Sequence, residues 1–158
     1  MATIRGTAGP DDLPGTDGND AILGFGAGDR LSGLAGNDLL RGGLGADALF
    51  GGGGNDWFYG SGGADRLSGG SDDDVLMGGA GADLFNFNGG GGRDVVMDFS
   101  HAEGDRIRIA PTDAADYAAL ASKFVADPAG TLIQLGGQTI LLAGVAPGSL
   151  SAADFVFG

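Results

Sequence analysis

Residues Gly6 to Asn86 read GTAGPDDLP, GTDGNDAIL, GFGAGDRLS, GLAGNDLLR, GGLGADALF, GGGGNDWFY, GSGGADRLS, GGSDDDVLM and GGAGADLFN, nine units of nine residues without a gap. Position one is Gly in every unit. Position six is always Asp: Asp11, Asp20, Asp29, Asp38, Asp47, Asp56, Asp65, Asp74 and Asp83. Position eight is always large and apolar: Leu13, Ile22, Leu31, Leu40, Leu49, Phe58, Leu67, Leu76 and Phe85. Position four is Gly except at Ala27 and Asp72.

The first six residues of a unit are Gly-rich and suit tight turns, including φ > 0. The last three alternate out, in, out, as a short strand does, with position eight inside. Two units make one coil of 18 residues, and stacked coils give two parallel sheets around a thin core. One unit cannot bury its apolar face alone, so only the stack is stable. Position five supports two units per coil: Asn19, Asn37, Asn55 and Asp73 in even units, but Pro10, Gly28, Ala46, Ala64 and Ala82 in odd ones.

Stacking sets each Asp beside the one 18 residues on, as Asp11/Asp29, Asp20/Asp38, Asp29/Asp47, Asp38/Asp56, Asp47/Asp65, Asp56/Asp74 and Asp65/Asp83. Stacked carboxylates repel, and Gly turns present carbonyl oxygens beside them. A hard cation answers both. Calcium accepts about 6–8 oxygens in flexible geometry, whereas magnesium is stricter. Zinc would want His or Cys, which the repeats lack. Seven pairs predict seven calcium sites.

These units resemble the RTX (haemolysin-type) calcium-binding nonapeptide repeat, GGxGxDxUx. The resemblance implies an all-β fold: a calcium-filled parallel β-roll (a β-helix solenoid) in a protein exported by a type I secretion system. Function follows as an expectation: a secreted calcium-binding β-roll that folds on binding calcium after export. The alternative is an accessory module, stabilising or polysaccharide-binding, of a secreted enzyme such as an alginate epimerase, lipase or metalloprotease. An upstream reading frame would discriminate the two.

Composition agrees. The 158 residues suit about one domain. Net charge is −13, and 20 of the 21 acidic residues are Asp, the shorter side chain that fits a tight turn. The eight Lys and Arg are scattered, so no basic patch announces nucleic acid. There is no Cys, hence no disulfide staple, and calcium can serve in its place. MATIRGTAGP has no apolar core of a signal peptide, and no apolar run is long enough to span a bilayer. Both fit type I export, whose signal is C-terminal in the family that the repeats resemble.

Beyond Asn86 two residues break the frame. GGGGRDVVM (89–97) then restores it, with Asp94 and Val96 at positions six and eight, as a tenth unit. If it stacks, Asp74/Asp94 makes an eighth calcium site. Residues 6–97 are therefore read as the roll, and 98–158 as a β-rich C-terminal cap with one short helix and a type I secretion signal. VVMDF (95–99) and RIRIA (106–110) read as strands around a polar turn. Asp113 is a plausible N-cap for a helix to about Val125, ended by Pro128 and Gly130. TLIQL and QTILLAGV flank Gly136-Gly137 as a β-hairpin. The cap resembles RTX C-terminal regions, notably in Asp154 followed by Phe155, Val156 and Phe157, although Gly158 closes the chain.

Enzymatic motifs are missing: no HExxH, no G-x-S-x-G, and one His, His101, in a loop. The outer positions of the even-unit sheet are Ala21, Leu39, Trp57, Val75 and Leu23, Arg41, Tyr59, Met77. A face this apolar calls for cover, and the 113–125 helix with its adjoining strands is the expected lid. Self-association, or a sugar ring stacked on Trp57 and Tyr59, are the alternatives.

Overall fold

The computed structural model describes residues 1–158, and its chain winds as a coil of short strands in two sheets that face each other across one row of side chains. The strands are β1 (Thr3–Arg5), β2 (Asp12–Pro14), β3 (Ala21–Gly26), β4 (Arg30–Ala35), β5 (Leu39–Leu44) and β6 (Ala48–Gly53). They continue as β7 (Trp57–Gly62), β8 (Arg66–Ser71), β9 (Val75–Ala80), β10 (Leu84–Phe87), β11 (Gly92–Val96) and β12 (Arg106–Ile109). Then come helix α1 (Tyr117–Ala121), β13 (Phe124–Asp127), β14 (Gly130–Leu135), β15 (Gln138–Ala143) and β16 (Phe155–Phe157). One sheet runs β1-β3-β5-β7-β9-β11-β15-β14-β13, the other β16-β12-β10-β8-β6-β4-β2. Inside the nine gapless units all pairs are parallel and 18 residues apart, as in Leu40↔Phe58 and Leu49↔Leu67. This is the parallel β-roll that the nine-residue frame predicts.

The position-eight side chains form the core. Ile22, Leu31, Leu40, Leu49, Phe58, Leu67, Leu76 and Phe85 are completely buried. The strands are longer than the sequence suggests, six residues rather than three, because alternation continues through the next position-one Gly, which is buried too. That Gly is required by space. A Cβ on Gly24, Gly33, Gly42, Gly51, Gly60, Gly69 or Gly78 would lie under 3.0 Å from Oδ2 of the Asp five residues on. Positive φ falls instead at positions two and four, as in Gly52 and Gly54. Phe25, Leu34 and Ser61 hold the same conformation at position two, and Ala27 and Asp72 at position four.

Residues 1–5 supply β1 as a paired strand on β3. The tenth unit stacks: Val95 and Val96 pair with Val75 and Leu76. Residues 95–99 and 106–110 are not two arms of one turn. β11 lies in one sheet and β12 in the other, where Ile107 pairs with Phe85 and Phe155. The hairpin forms as read, with Gly136-Gly137 as its two-residue turn and Ile133 opposite Ile140.

Two expectations are corrected. The helix is five residues long, capped by the Asp116 carboxylate accepting from the Ala119 N–H at 2.8 Å. Phe124 and Val125 share helical spacing with Leu120 and Ala121, yet they pair antiparallel with Ile133 and Leu132 as β13. Pro128 and Ala129 turn β13 into β14. The even-unit face is also not covered. β15, β14 and β13 extend that sheet edge-on, and Tyr117 of α1 packs on Phe124 and Phe155 while its hydroxyl donates to Leu150 O. Trp57 remains 48% exposed and Leu39 37%.

Steric need for Gly at position one gives a test. In Gly51→Ala the Cβ would meet Asp56 Oδ2, the Gly69 carbonyl and the Phe58 ring, costing about 1–3 kcal/mol as overpacking. Gly137→Ala, with nothing within 4 Å, should be neutral. Denaturant unfolding of the calcium-loaded variants measures both, and equal stabilities would refute the steric account.

Candidate metal centres

Each repeat Asp from Asp11 to Asp83 is delivered by its turn to the sheet edge, at the residue before its strand begins, and Asp94 sits inside β11. Asp20 to Asp94 are buried at position six of units two to ten, and Asp11 is half-buried at the open end. The carboxylates form two lines, one along each edge of the roll. Odd units give Asp11, Asp29, Asp47, Asp65 and Asp83, and even units Asp20, Asp38, Asp56, Asp74 and Asp94. All eight predicted pairs are brought together.

One oxygen of each carboxylate is committed to the backbone. Asp29 Oδ1 accepts the Asp11 N–H at 2.9 Å, Asp38 that of Asp20 at 2.7 Å, and Asp47 that of Asp29 at 2.7 Å. The same bond joins Asp56 to Asp38, Asp65 to Asp47, Asp74 to Asp56, Asp83 to Asp65 and Asp94 to Asp74, at 2.7–3.1 Å. Asp105 continues the line, accepting from the Asp83 N–H at 2.9 Å. Sequence reading placed Asp105 in a plain turn. Its signal was the Asp-x-apolar step Asp105-Arg106-Ile107, hidden because it follows Asp94 by eleven residues instead of nine.

The other oxygen decides the chemistry. Oδ2 of Asp29, Asp38, Asp47, Asp56, Asp65, Asp74 and Asp83 is buried and has no hydrogen-bond partner. No cationic side chain neutralises them, since the only ion pairs are Arg30–Asp12 and His101–Asp154. A buried carboxylate without a partner is costly, so it takes up a proton or meets a cation. Seven bare oxygens stand for seven expected pairs, each on the later Asp of its pair. The point where a Cβ on Gly24 would stand lies under 3 Å from both Asp29 Oδ2 and the Gly42 carbonyl oxygen of the next coil, and that on Gly51 under 3 Å from both Asp56 Oδ2 and Gly69 O. No cluster of three or more His, Cys, Asp or Glu side chains exists. The donors at each point are carboxylate and backbone carbonyl oxygens, with no His or Cys among them, hard oxygen chemistry that fits calcium.

Electrostatics record the strain. Burial pushes the Asp56 carboxyl up to about 7, against the Asp38 N–H bond that lowers it, with the Asp38 and Asp72 charges adding to the rise. Burial likewise lifts Asp65 to about 7, Asp74 to about 8, and Asp83 and Asp94 to about 6. Asp38, Asp47 and Asp105 are raised for the same first reason. Asp20 goes the other way, lowered by the Ala2 N–H and the Thr16 hydroxyl.

His101 has a partner that the sequence did not suggest: its Nδ1 meets Asp154 Oδ1. Ser151 donates both N–H and hydroxyl to Asp154 Oδ2, at 2.7 and 2.9 Å. The hydroxyl faces the carboxylate and not the imidazole, so the trio has no nucleophile–base hydrogen bond. It fastens β16 to the 100–105 loop.

A family model described as the RTX calcium-binding nonapeptide repeat matches in four copies, at residues 3–24, 23–58, 50–85 and 59–96. No curated protein sequence matches the chain. Among solved structures, the extracellular lipase LipA from Serratia marcescens is similar, with TM-score 0.53 and 18% identity over 99% of this chain. That likeness is one of fold, and this chain spans 40% of the lipase. The AlgE6R3 subunit from the Azotobacter vinelandii mannuronan C5-epimerase is 28% identical over 96% of this chain and 80% of that one, with TM-score 0.33.

The raised carboxyls set a pH dependence for the metal-free chain. A folded-state value above the ordinary 3.8 stabilises the fold in full below 3.8 and loses that contribution as pH rises through about 6 to about 8. Calcium-depleted protein should therefore hold more β-structure at about pH 5 than at about pH 9, by circular dichroism. More structure at the higher pH would contradict the burial of these groups.

Proposed function

The chain belongs to the RTX calcium-binding nonapeptide repeat family, and on that premise we propose that it is a secreted β-roll whose folding is driven by calcium. One observation carries the reading: seven buried, partnerless Oδ2 atoms in a protein of net charge −13. In this reading Asp11, Asp20, Asp29, Asp38, Asp47, Asp56, Asp65, Asp74, Asp83 and Asp94 are the acidic residues of the array, and seven or eight ions fill it. Calcium supplies the positive charge that the fold lacks. The protein's own part is to aim each Oδ2 inward while the backbone bond on Oδ1 holds its orientation, and to keep a glycine where a Cβ would close the space.

Without calcium the stacked carboxylates repel, and a core one side chain thick cannot offset the ordering entropy of so many Gly turns. Binding free energy then becomes folding free energy. Extracellular modules bind calcium at roughly 10⁻⁴–10⁻³ M, so the chain stays unfolded in a calcium-poor cytoplasm and folds outside. The division follows: 6–97 as the ion-holding roll, and 98–158 as its cap and type I export signal. Phe155 is buried in β16 on the sheet edge, which fits a signal read before folding.

A second reading rests on the open sheet face. Trp57 and Leu39 are exposed beside Tyr59, next to a groove of about 360 Å³ lined by Leu23, Phe25, Arg41 and Leu44. An aromatic face of this kind suits a sugar ring, as an accessory module of a longer secreted enzyme would need. Superposition of the whole chain on two-fifths of a lipase supports the module idea.

Two measurements test these readings. Calcium titration followed by circular dichroism should convert a largely disordered chain into a β-rich one, and a β-rich chain in excess chelator at neutral pH would sink the first. Trp57 emission, from the only Trp in the chain, should shift on adding a polysaccharide to the calcium-loaded protein, and Trp57→Ala should lose any retention. No shift with acidic or neutral polysaccharides would remove the second.

A further inference from the structure

Resting on the calcium reading, we infer that both lines of carboxylates are closed at both ends by the chain's own hydrogen-bond donors, so that the roll takes seven ions and Asp94, although stacked, takes none.

The array has eleven members once Asp105 is counted. Along the odd edge run Asp11, Asp29, Asp47, Asp65, Asp83 and Asp105, and along the even edge Asp20, Asp38, Asp56, Asp74 and Asp94. The seven interior carboxylates have a bare Oδ2. The four terminal ones do not. Asp11 Oδ2 accepts from the Thr7 N–H at 2.6 Å and its hydroxyl at 3.0 Å. Asp20 Oδ2 accepts from the Thr16 N–H and hydroxyl, both at 2.7 Å. At the far ends, Asp94 Oδ2 accepts from the Gln138 amide nitrogen at 2.7 Å, and Asp105 Oδ2 from the Ser100 N–H at 2.8 Å. Filled and bare oxygens thus sort by place: two edges, two ends each, four neutral plugs.

A terminal carboxylate has a coil of the roll on one side only. A neutral donor there satisfies the buried oxygen and takes the place that a cation takes at an interior carboxylate. The substitutions that do this depart from the repeat at these ends. Thr7 and Thr16 replace the second Gly, and neither has the positive φ that position two adopts from Phe25 onward. Ser61 shows that a hydroxyl alone is not enough. It stands at position two with φ 87, and Asp65 Oδ2 stays bare. At Asp94 the two-residue break has also moved the position-one glycine away. A Cβ on Gly89 would meet nothing within 4 Å, and the Gln138 amide occupies the carboxylate instead. Gln138 opens β15 directly after the Gly136-Gly137 turn, so the hairpin that ends the sheet also ends the ion row.

The test counts calcium per full-length chain at saturation, by equilibrium dialysis with atomic emission, for wild type, Asp83→Asn, Asp94→Asn and Gln138→Ala. Expected counts are seven for wild type, one fewer for Asp83→Asn, no change for the near-isosteric Asp94→Asn, and one more for Gln138→Ala, which strips the plug from Asp94. A wild-type count of eight that drops in Asp94→Asn overturns the inference, as does Gln138→Ala holding the wild-type count. Wild type taking up no calcium instead fails the functional reading, and the inference falls with it.

Discussion

Everything in this molecule depends on a carboxylate row that the polypeptide buries and does not neutralise. From Asp29 onward each position-six Asp is fixed by one oxygen to the N–H of its counterpart in the preceding coil, at 2.7–3.1 Å through the array. The fixed orientation sends the second oxygen into the turn, where seven of them find no donor. Parallel strands lie about 4.8 Å apart, so like charges recur along each edge at that spacing. A fold that repeats an unfavourable contact so regularly is designed around something that reverses its sign. Oxygen donors from the turns make a hard divalent cation the natural agent.

The other invariant positions follow from that row. Position-one glycine is needed because the carboxylate occupies the volume where a Cβ would be. Positions two and four take positive φ, so that the chain can turn and bring the strand out beneath the previous one. Position eight is what remains for a core: one large side chain per unit, fully buried from Ile22 to Phe85. Local propensity and turn chemistry agree on the roll, and the buried carboxylates are the one element that opposes it until their charge is compensated.

Periodic features were legible in the sequence because a solenoid writes its geometry once per unit. The Asp rows, the inward position-eight residues, the pairing at 18 residues and the Gly136-Gly137 hairpin all emerge from spacing alone. Where the period breaks, so does the reading. Asp105 lay two residues out of frame, although it joins the same ladder through Asp83. Residues 117–125 carry helical spacing, and the competing claim of Ile133 and Leu132 as antiparallel partners for Phe124 and Val125 comes from a distant strand. The uncovered even-unit face failed for a related reason. Apolarity signals that a face wants cover, but it does not say that β15 would join the sheet at its edge and leave that face open. The donor on Asp94 was beyond reach too, since Gln138 lies 44 residues from its acceptor.

The two edges of the roll are not equivalent, and position five explains why. On the even edge Asn37 N–H donates to Asn19 Oδ1, Asn55 N–H to Asn37 Oδ1, Asp73 N–H to Asn55 Oδ1 and Arg93 N–H to Asp73 Oδ1, at 2.7–3.2 Å. This second ladder runs beside the carboxylate ladder and needs no ion. The odd edge has Gly28, Ala46, Ala64 and Ala82 at the same place and no side chain to build one. It also carries four of the seven bare oxygens, on Asp29, Asp47, Asp65 and Asp83, against three on the even edge. The edge with more uncompensated charge is thus the one with less side-chain bonding. Register along the even edge is held by amides as well as carboxylates, and register along the odd edge rests on the carboxylates and whatever neutralises them. Alternation at position five is therefore more than a marker of two units per coil: it divides the roll into a side braced by two side-chain ladders and a side that has the carboxylate ladder alone.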